Sequence, residues 1–370
     1  MKKLLCRYLG SLLCFLIAFS SCENKSTFLF DTKEVDYISD SKPLIKGSEV
    51  NLEILGVDGV FVCDTLLMFI SNDPSGMLQI YNKNTLSPIA NLATQGRAKN
   101  EFISISNTNW QYYYRDGDLI MPFIDNGCFL KEINISQSIL QGHTVIASDV
   151  SECIHITSGS FVLLDDDINN RFECLFSHPD GIEIDKRVPV SYSIHNCENK
   201  SFKEISVFSK MIECEDEIDV STYHNNRLLK HPTENIVVQP FSLLDYILLF
   251  DFENKHNFAI HNQGSRSFSE VAPSITEGTP TYFINYYSSC SKDFFMLLYY
   301  ADQYSIESKG NLPELLIFDW EGNYLGGAKL DEFILSISYD PSNKILYGVR
   351  YFDEKIFTFD LSEIMTSIDK

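Results

Sequence analysis

The chain has 370 residues, in which 29 Lys and Arg are outnumbered by 51 Asp and Glu, so its formal net charge at pH 7 is −22. An acidic chain repels polyanions, which argues against nucleic acid as a partner. The 27 Phe and 19 Tyr residues, against 18 Gly, indicate a protein with a large core and exclude collagen-like or low-complexity classes.

The N-terminus has the layout of a secretory signal peptide. A basic start that includes Arg7 is followed by an apolar stretch at residues 9–19, and small residues end the segment at Ser21. The apolar stretch is too short to cross a bilayer as a helix. We therefore predict a signal peptide over residues 1–21.

The end of this segment, Phe-Ser-Ser-Cys at residues 19–22, resembles a bacterial lipoprotein box, in which the cysteine becomes the lipidated first residue of the mature chain. The usual box begins with Leu and often has Gly or Ala before the cysteine, so Phe19 and Ser21 depart from it. The resemblance implies lipidation of Cys22 and a lipid-anchored place in the bacterial cell envelope. It leaves the outer-membrane, periplasmic and surface-facing positions undecided. An ordinary cleaved signal with an incidental cysteine is the alternative.

Residues 22–48 are polar and carry no periodic apolar pattern, which predicts a tether between the lipid and a folded domain at residues 49–363. Strands are predicted at residues 50–55, without a partner in the neighbouring sequence, and at residues 60–71. Residues 364–370 are predicted to be a C-terminal tail.

The predicted domain consists of short strands joined by turns rich in Gly, Asn, Asp and Pro, in repeated units of three or four strands. The units cover residues 60–92, 109–147, 153–190, 223–268, 281–330 and 334–361. Residues 191–222 are less regular and could be a long loop or a weak strand pair. A spacing of roughly 30 to 55 residues is typical of propeller blades.

The repeats predict an all-β fold, a six-bladed β-propeller. The last unit is one strand short, so we expect the strand at residues 50–55 to complete it and close the ring. A seven-bladed ring, with an extra blade hidden at residues 201–220, and two stacked β-domains are the alternatives.

A family resemblance follows from the segment Gln-Gly-Arg-Ala-Lys-Asn-Glu-Phe at residues 95–102. It resembles a G-x-G-P-x-E-F pattern of lipid-anchored six-bladed propellers of Gram-negative bacteria, the TolB-like propellers. Gly96, Glu101 and Phe102 fit the pattern, whereas Ala98 and Lys99 stand where Gly and Pro are usual. The resemblance implies a fold and a cellular location, and it implies no particular reaction. We expect Gly96 to serve a tight turn and Phe102 to make a core contact between blades.

Catalytic motifs are absent: the sequence contains no H-E-x-x-H, G-x-S-x-G, phosphate-binding glycine loop or C-x-x-C. The acidic run at residues 165–170 could offer oxygens to Ca²⁺, but a solvated turn is the favoured interpretation and no cofactor is expected. Tyrosines at residues 112–114, 286–287 and 299–300 could form sugar-stacking platforms, although strand neighbours face opposite sides and one of each pair should be core.

The function predicted from these observations is a non-catalytic binding or scaffold module for a peptide, a glycan or an envelope protein. A carbohydrate- or ester-directed hydrolase or lyase with its site in the central funnel is the alternative, because propellers host both classes. We expect a monomer that meets the membrane through its lipid alone, and a neutral or cationic ligand. The cysteines beyond Cys22 are expected to be mostly unpaired; they are Cys63, Cys128, Cys153, Cys174, Cys197, Cys214 and Cys290.

Overall fold

The computed structural model of the protein describes residues 31–38, 41–106, 110–126, 129–149, 161–164, 167–175, 191–196, 201–205, 228–241, 245–251, 257–265, 283–302, 312–350 and 353–368. Short strands dominate this part of the chain. In chain order they are β1 Thr32–Val35, β2 Leu44–Ile45, β3 Ser48–Val50, β4 Val57–Cys63, β5 Leu66–Ser71, β6 Leu78–Asn82, β7 Pro88–Leu92, β8 Ile105–Ser106, β9 Tyr113–Arg115, β10 Asp118–Asp125, β11 Phe129–Asn134, β12 Ile146–Asp149, β13 Phe161–Leu164, β14 Asp167–Leu175, β15 Ser191–Asn196, β16 Ser201–Ile205, β17 Leu229–Lys230, β18 Ile236–Pro240, β19 Tyr246–Asp251, β20 Phe258–Asn262, β21 Phe283–Cys290, β22 Phe294–Asp302, β23 Glu314–Asp319, β24 Tyr324–Leu330, β25 Ile334–Asp340, β26 Ile345–Arg350 and β27 Ile356–Asp360. Two helices accompany them, α1 Ile135–Gln141 and α2 Ser362–Ile368.

The described strands form six sheets of four or five strands, and all of these strands except β1 and β2 pair antiparallel. We number them by the order of their first strands along the chain. Sheet 1 holds β4 to β7, sheet 2 holds β8 to β12, sheet 3 holds β13 to β16, sheet 4 holds β17 to β20, sheet 5 holds β21 to β24, and sheet 6 holds β25 to β27. The N-terminal strands β1, β2 and β3 add an outer strand to sheets 4, 5 and 6 respectively.

Apolar side chains pack consecutive sheets face to face. Of the interfaces built from described residues, Ile70 packs near Phe123 between sheets 1 and 2, and Leu130 near Leu163 between sheets 2 and 3. The same kind of packing joins sheets 4 and 5, sheets 5 and 6, and sheets 6 and 1, where Val60 lies in one cluster with Val349. The all-β prediction and the β-propeller prediction are confirmed at this level.

The first strands of sheets 4, 5, 6 and 1 are their inner strands, because β17 contacts β21, β21 contacts β25, and β25 contacts β4. Polar side chains from one inner strand satisfy backbone groups on the next. The Oγ atoms of Ser336 and Ser338 in β25 accept hydrogen bonds from the backbone N–H groups of Val60 and Val62 in β4, at 3.2 and 2.9 Å. Ser289 in β21 accepts from the Tyr339 N–H at 3.0 Å. The open inner edges are therefore paired through side chains rather than by a continuous ladder.

The outer strand that was expected to complete the last sheet is found, but at different residues from those predicted. β3 pairs antiparallel with β27, with Val50 opposite Ile356 and Ser48 opposite Thr358. Residues 51–55 are outside any strand, so the prediction of a strand at residues 50–55 is wrong except at Val50. The reason is that β3 is the outer strand of sheet 6, whereas β4 is the first strand of sheet 1. Residues 51–55 connect these two strands, so they cannot all pair with β27.

The tether prediction is wrong for the described part of residues 31–48. β1 runs parallel to β20 and β2 runs parallel to β24, so this segment lies on the outer edges of two sheets. Tyr37 is completely buried between them. The segment was mistaken for a tether because its strands are short and its apolar residues are few. Residues 1–30, with the predicted signal peptide and Cys22, lie outside the described residues.

Three other predicted boundaries change. Residues 60–71 form the hairpin of β4 and β5 rather than one strand, because Asp64 adopts a positive φ of 51° in a tight turn. β15 pairs with β14, and β16 with β15, so these strands complete sheet 3 and favour the strand-pair interpretation of residues 191–222. The predicted tail at residues 364–370 begins inside α2, whose Ile364 and Met365 are buried.

Candidate functional site

The inner strand of sheet 2 is split in two, which creates the most distinctive surface of the described molecule. β8 pairs with the far end of β10, and β9 pairs with its beginning. Trp110 and Tyr112 lie between the two halves, and Trp110 has a positive φ of 45°. A positive φ is uncommon for a bulky residue and indicates that the surrounding structure imposes the conformation.

Four aromatic side chains meet at this break, and we call them the axial aromatic cluster: Phe61, Trp110, Tyr112 and Tyr114. The rings of Phe61 and Trp110 are stacked, with centroids 5.1 Å apart and planes 5° from parallel. The Tyr112 ring lies 5.6 Å from Phe61, and the Tyr114 ring lies 6.2 Å from Tyr112 with its plane at 88° to it. Sheet 1 therefore contributes one ring and sheet 2 contributes three.

Alternation along the strands determines which rings face this cluster. In β4, Val60 and Val62 pack toward sheet 6, so Phe61 points the opposite way, toward sheet 2. Beside β9, Tyr113 is buried at 5% relative exposure, whereas Tyr112 and Tyr114 are exposed at 38% and 52%. The expectation that part of the tyrosine run is core is confirmed, and the two remaining tyrosines form an accessible surface.

Contacts on every side hold the cluster in place. Gly59 leaves room for the indole, because a Cβ atom there would lie 3.0 Å from Cζ2 of Trp110. Gln111 is clamped to β13, its Nε2 donating to the Phe161 carbonyl at 2.8 Å and its Oε1 accepting from the Leu163 N–H at 2.6 Å. The Tyr114 hydroxyl donates to Oδ2 of Asp64. The rings are thus fixed before any ligand arrives.

The Tyr112 phenol is affected by groups on other sheets. Burial raises its pKa, and the thiols of Cys63 and Cys290 raise it further. Cys63 ends β4 in sheet 1, and Cys290 ends β21 in sheet 5.

The two thiols at this site are poor nucleophiles. Cys63 and Cys290 are both free, as expected for unpaired cysteines. Burial raises the pKa of each thiol to about 12, so both are protonated at neutral pH and only the weakly nucleophilic thiol form is present. The remaining cysteines beyond Cys22 lie outside the residues whose side chains the structure describes.

A buried carboxylate on the other side of β9 has a structural role. Glu132 is fully buried, and its Oε1 accepts a hydrogen bond from the Tyr113 hydroxyl. Nη2 of Arg115 lies 3.3 Å from the second oxygen of Glu132 and 2.6 Å from the Tyr113 oxygen. A buried carboxylate that is paired and hydrogen-bonded in this way stabilises the sheet.

The segment at residues 95–102 is a loop that anchors sheet 1 to sheet 2. Phe102 is completely buried between the two sheets, which confirms the predicted core contact. Lys131 lies over the Phe102 ring at 4.8 Å and donates to Oδ2 of Asp125 and to the Glu101 carbonyl, at 2.8 and 2.9 Å.

Gly96 is needed for a different reason from the one predicted. Its φ is not positive, so no left-handed turn requires a glycine there. Instead, a Cβ atom at this position would lie 1.9 Å from Oε2 of Glu101, whose carboxylate folds back to accept the Ala98 N–H at 2.8 Å.

Several predicted candidates lie outside the described part of the chain. They are Cys22, the side chains of residues 165–170, which could offer oxygens to Ca²⁺, and those of Tyr286 and Tyr287. Tyr299 and Tyr300 are described, and each packs against a core cluster, on opposite faces of sheet 5. Within the described ranges, no group of three His, Cys, Asp or Glu residues is placed to hold a metal ion. None of the described helices is long and apolar enough to cross a membrane.

Sequence reasoning missed Asp64, Phe61 and Trp110. The turn at Asp64 is missed because residues 60–71 are predicted as one continuous strand. An Asp between two apolar runs favours a turn, because Asp tolerates a positive φ, and it could have indicated the hairpin. Phe61 and Trp110 stack across two separate sheets, and no local sequence pattern predicts such a contact.

No protein-family model matches the sequence, and no curated protein matches it. Among solved structures, the chain is similar to a member of the DUF4221 family from Bacteroides vulgatus, with a TM-score of 0.53 and 12% sequence identity over 88% of this chain and 98% of that one. It is more distantly similar to Raptor from Chaetomium thermophilum, with a TM-score of 0.44 and 10% identity over 90% of this chain and 29% of that one. The β-propeller domain of Cps50 (Swd1) from Myceliophteria thermophila gives 0.45 and 9% identity over 85% and 100%. The first likeness shows a shared fold.

Proposed function

We propose that this chain is a non-catalytic binding module, a β-propeller whose ligand contacts the axial aromatic cluster. The observation that carries the proposal is the pair of exposed tyrosines, Tyr112 and Tyr114, which belong to the cluster of aromatic rings between sheets 1 and 2. Aromatic rings that are rigid and partly exposed are typical of recognition surfaces, because they offer a large contact area at a small cost in conformational entropy. The ligand is a peptide, a glycan or a partner protein of the envelope.

The proposal also covers the number of blades, the closure of the ring and the oligomeric state. We infer that the six sheets are six blades, with the ring closed by packing between sheets 3 and 4, and that the protein is a monomer related to the TolB-like propellers. Six sheets among the described residues and the outer strand that β3 adds to sheet 6 support this reading. The match of Gly96, Glu101 and Phe102 to the family pattern supports the relationship.

We propose the cellular location from the N-terminal sequence. A signal peptide at residues 1–21 directs export, and Cys22 carries the lipid that anchors the protein to the bacterial cell envelope. Cells fed a clickable fatty acid should label the natural protein and leave the Cys22→Ala variant unlabelled. Equal labelling of the two would contradict lipidation at this residue.

The binding function is tested by a ligand screen on the full-length protein in detergent. Thermal denaturation is followed with glycans, peptides and Ca²⁺, because a ligand at one hundred times its Kd raises the stability by about 2.7 kcal/mol. The shift should vanish in the Tyr112→Ala/Tyr114→Ala variant and persist in Leu140→Ala, which changes an exposed apolar residue on α1.

Chromogenic glycoside, ester and phosphate substrates are assayed in parallel. Turnover that disappears in the Asp64→Asn variant, where the carboxylate beside the aromatic cluster is replaced, would contradict the non-catalytic proposal. It would favour a hydrolase or lyase.

A further inference from the structure

We propose that the axial aromatic cluster binds an alkylammonium group, of the kind carried by a lysine side chain, between the rings of Tyr112 and Tyr114 and the carboxylate of Asp64. This inference rests on the proposed binding function and names the class of ligand.

The arrangement of the rings disfavours a flat ligand such as a sugar. Phe61 and Trp110 are the parallel pair, and they stack on each other, so each covers one face of its partner. The indole of Trp110 also lies against the backbone at Gly59. The broad aromatic surface is therefore largely used within the protein, and the more exposed rings are those of the two tyrosines.

The two tyrosine rings suit a compact cation. Their planes are at 88° and their centroids are 6.2 Å apart, so a small group in the angle between them can approach both rings. A cation within about 6 Å of a ring centroid is attracted by the negative face of the ring. A flat ligand could stack on one ring at most.

Asp64 supplies the opposite charge. It is exposed in the turn between β4 and β5, and its Oδ2 accepts the hydrogen bond from Tyr114. Its Oδ1 makes no hydrogen bond with the described residues. A primary ammonium group has three donors, so it can bind this oxygen while its stem lies along the rings.

The surrounding charges define where the cation lies. Lys83 approaches Cys63, but its Nζ is 2.8 Å from Oδ1 of Asp340, which balances its charge. Lys230 belongs to β17, and its carbonyl accepts a hydrogen bond from the Cys290 thiol at 3.5 Å. The ammonium group lies beside Asp64, which carries the opposite charge and accepts from Tyr114. The net charge of −22 raises the local concentration of cations around the whole protein.

The test compares charged probes with neutral ones of similar shape. The full-length protein in detergent is titrated at constant ionic strength with n-butylammonium, tetramethylammonium, n-butanol and neopentanol, and binding is followed by tyrosine fluorescence and calorimetry. We expect saturable binding of both cations, tighter for n-butylammonium because it can donate hydrogen bonds, and none of the alcohols. Phosphoethanolamine separates a lipid head group from a lysine side chain; we expect it to bind more weakly, because its phosphate meets Asp64.

Variants assign the binding to these residues. Asp64→Asn keeps the side-chain shape, and asparagine tolerates the positive φ at this position. Each of Asp64→Asn and Tyr114→Leu should weaken n-butylammonium binding by roughly fivefold, whereas Tyr114→Phe, which keeps the ring, should weaken it less. Asp116→Asn is the matched control, because Asp116 is also exposed in a turn with a φ of 52° and its loss removes the same charge.

The outcomes separate this inference from the proposed function. Equal affinity for n-butanol, or an unchanged affinity in Asp64→Asn, would overturn the ammonium site. A glycan or neutral peptide whose binding is lost in the double tyrosine variant would also overturn it, while leaving the binding function intact. Failure of both the probes and the wider ligand screen would overturn both. Equal weakening by Asp64→Asn and Asp116→Asn would show a general charge effect and would also reject the site.

Discussion

At the scale of single residues, Glu101 and Gly96 act as one unit. The Glu101 carboxylate occupies the space where a side chain at position 96 would begin, 1.9 Å from the position of its Cβ atom. There it accepts the Ala98 N–H, which shapes the loop that carries Phe102 into the core. The glycine and the glutamate are therefore needed together.

This pairing predicts a non-additive double-mutant cycle. Gly96→Ala should cost about 1 kcal/mol of unfolding free energy, because the flexible Glu101 side chain moves away and its hydrogen bond is lost. Glu101→Ala should cost about the same for the same reason. The double variant should cost no more than either single variant, as measured by urea denaturation. Additive losses would show that Gly96 serves something other than the carboxylate.

Lys83 and Asp340 form a buried ion pair between sheets 1 and 6. Their side chains are 5% and 0% exposed, and their charged atoms are 2.8 Å apart. Burial opposes ionisation of Asp340, but hydrogen bonds from Lys83, Ser342 and Asn343 outweigh it and hold the pKa of the carboxyl below its ordinary value. The carboxylate therefore contributes stability above the unfolded-state pKa of about 3.9, and this contribution is lost as the pH falls through the folded-state pKa.

Removing the lysine should leave a buried charge without its partner. Lys83→Met is expected to cost about 3 to 5 kcal/mol at pH 7, measured by denaturant unfolding. Without the lysine, burial dominates and raises the pKa of Asp340, so the deficit should shrink in acid as the carboxyl becomes neutral. Lys83→Met/Asp340→Asn should recover most of the loss at pH 7. A deficit that does not depend on pH would show that lost packing, not charge, is the cause.

At the scale of secondary-structure elements, the strap is the main departure from a simple row of hairpins. We define the strap as residues 32–50, which contain β1, β2 and β3. Tyr37 fixes it: the ring makes edge contacts with Phe318 at 5.5 Å and with Tyr299 at 6.4 Å. The backbone N–H of Tyr37 donates to Oδ1 of Asn262 at 3.1 Å. Lys42, also buried, pairs with Glu314 at 3.0 Å.

The strap should therefore depend strongly on one ring. Tyr37→Ala is expected to cost about 3 to 5 kcal/mol, because it leaves a cavity between sheets 4 and 5. Tyr37→Phe keeps the ring and should cost only about 1 kcal/mol. Thermal and urea denaturation measure both losses. A small effect of Tyr37→Ala would mean that the strap is held by its strand pairing alone.

Local signals predicted most of the hairpins correctly. Two turns are predicted by their residue types. One contains Asp and Gly at residues 116–117, and the other contains Gly322, which has a positive φ of 75°. The strand pairs of sheets 4, 5 and 6 follow from such turns. The helix α1 was missed, although its Asn134 cap and its left-handed Gly142 cap were readable in the sequence.

What the sequence could not supply is long-range pairing of short segments. β2 has two residues and pairs with a strand far along the chain, so neither periodicity nor turn chemistry marks it. The same holds for the site: the exposure of Tyr112 and Tyr114 follows from alternation, but the clamp that Gln111 makes on β13 does not. Tertiary contacts decide these features, and a single sequence contains no local signal for them.

At the scale of the whole molecule, the strap follows the order of the sheets. It adds β1 to sheet 4, β2 to sheet 5 and β3 to sheet 6, and the chain then enters sheet 1 as β4. In this way one continuous segment covers three outer edges and joins the last sheet to the first. Unpaired edges are templates for aggregation, so the strap protects these three edges.

Deleting residues 31–50 should therefore expose the edges of β20, β24 and β27 together. We expect the variant to aggregate and to melt at a lower temperature than the natural protein, as measured by light scattering and differential scanning calorimetry. A synthetic peptide of residues 31–51, added in trans, should suppress the aggregation and raise the melting temperature, because it can pair with the same three edges. A peptide with Tyr37→Ala should restore much less, since it lacks the buried ring. A deletion variant that does not aggregate and melts at an unchanged temperature would show that the sheets hold together without the strap.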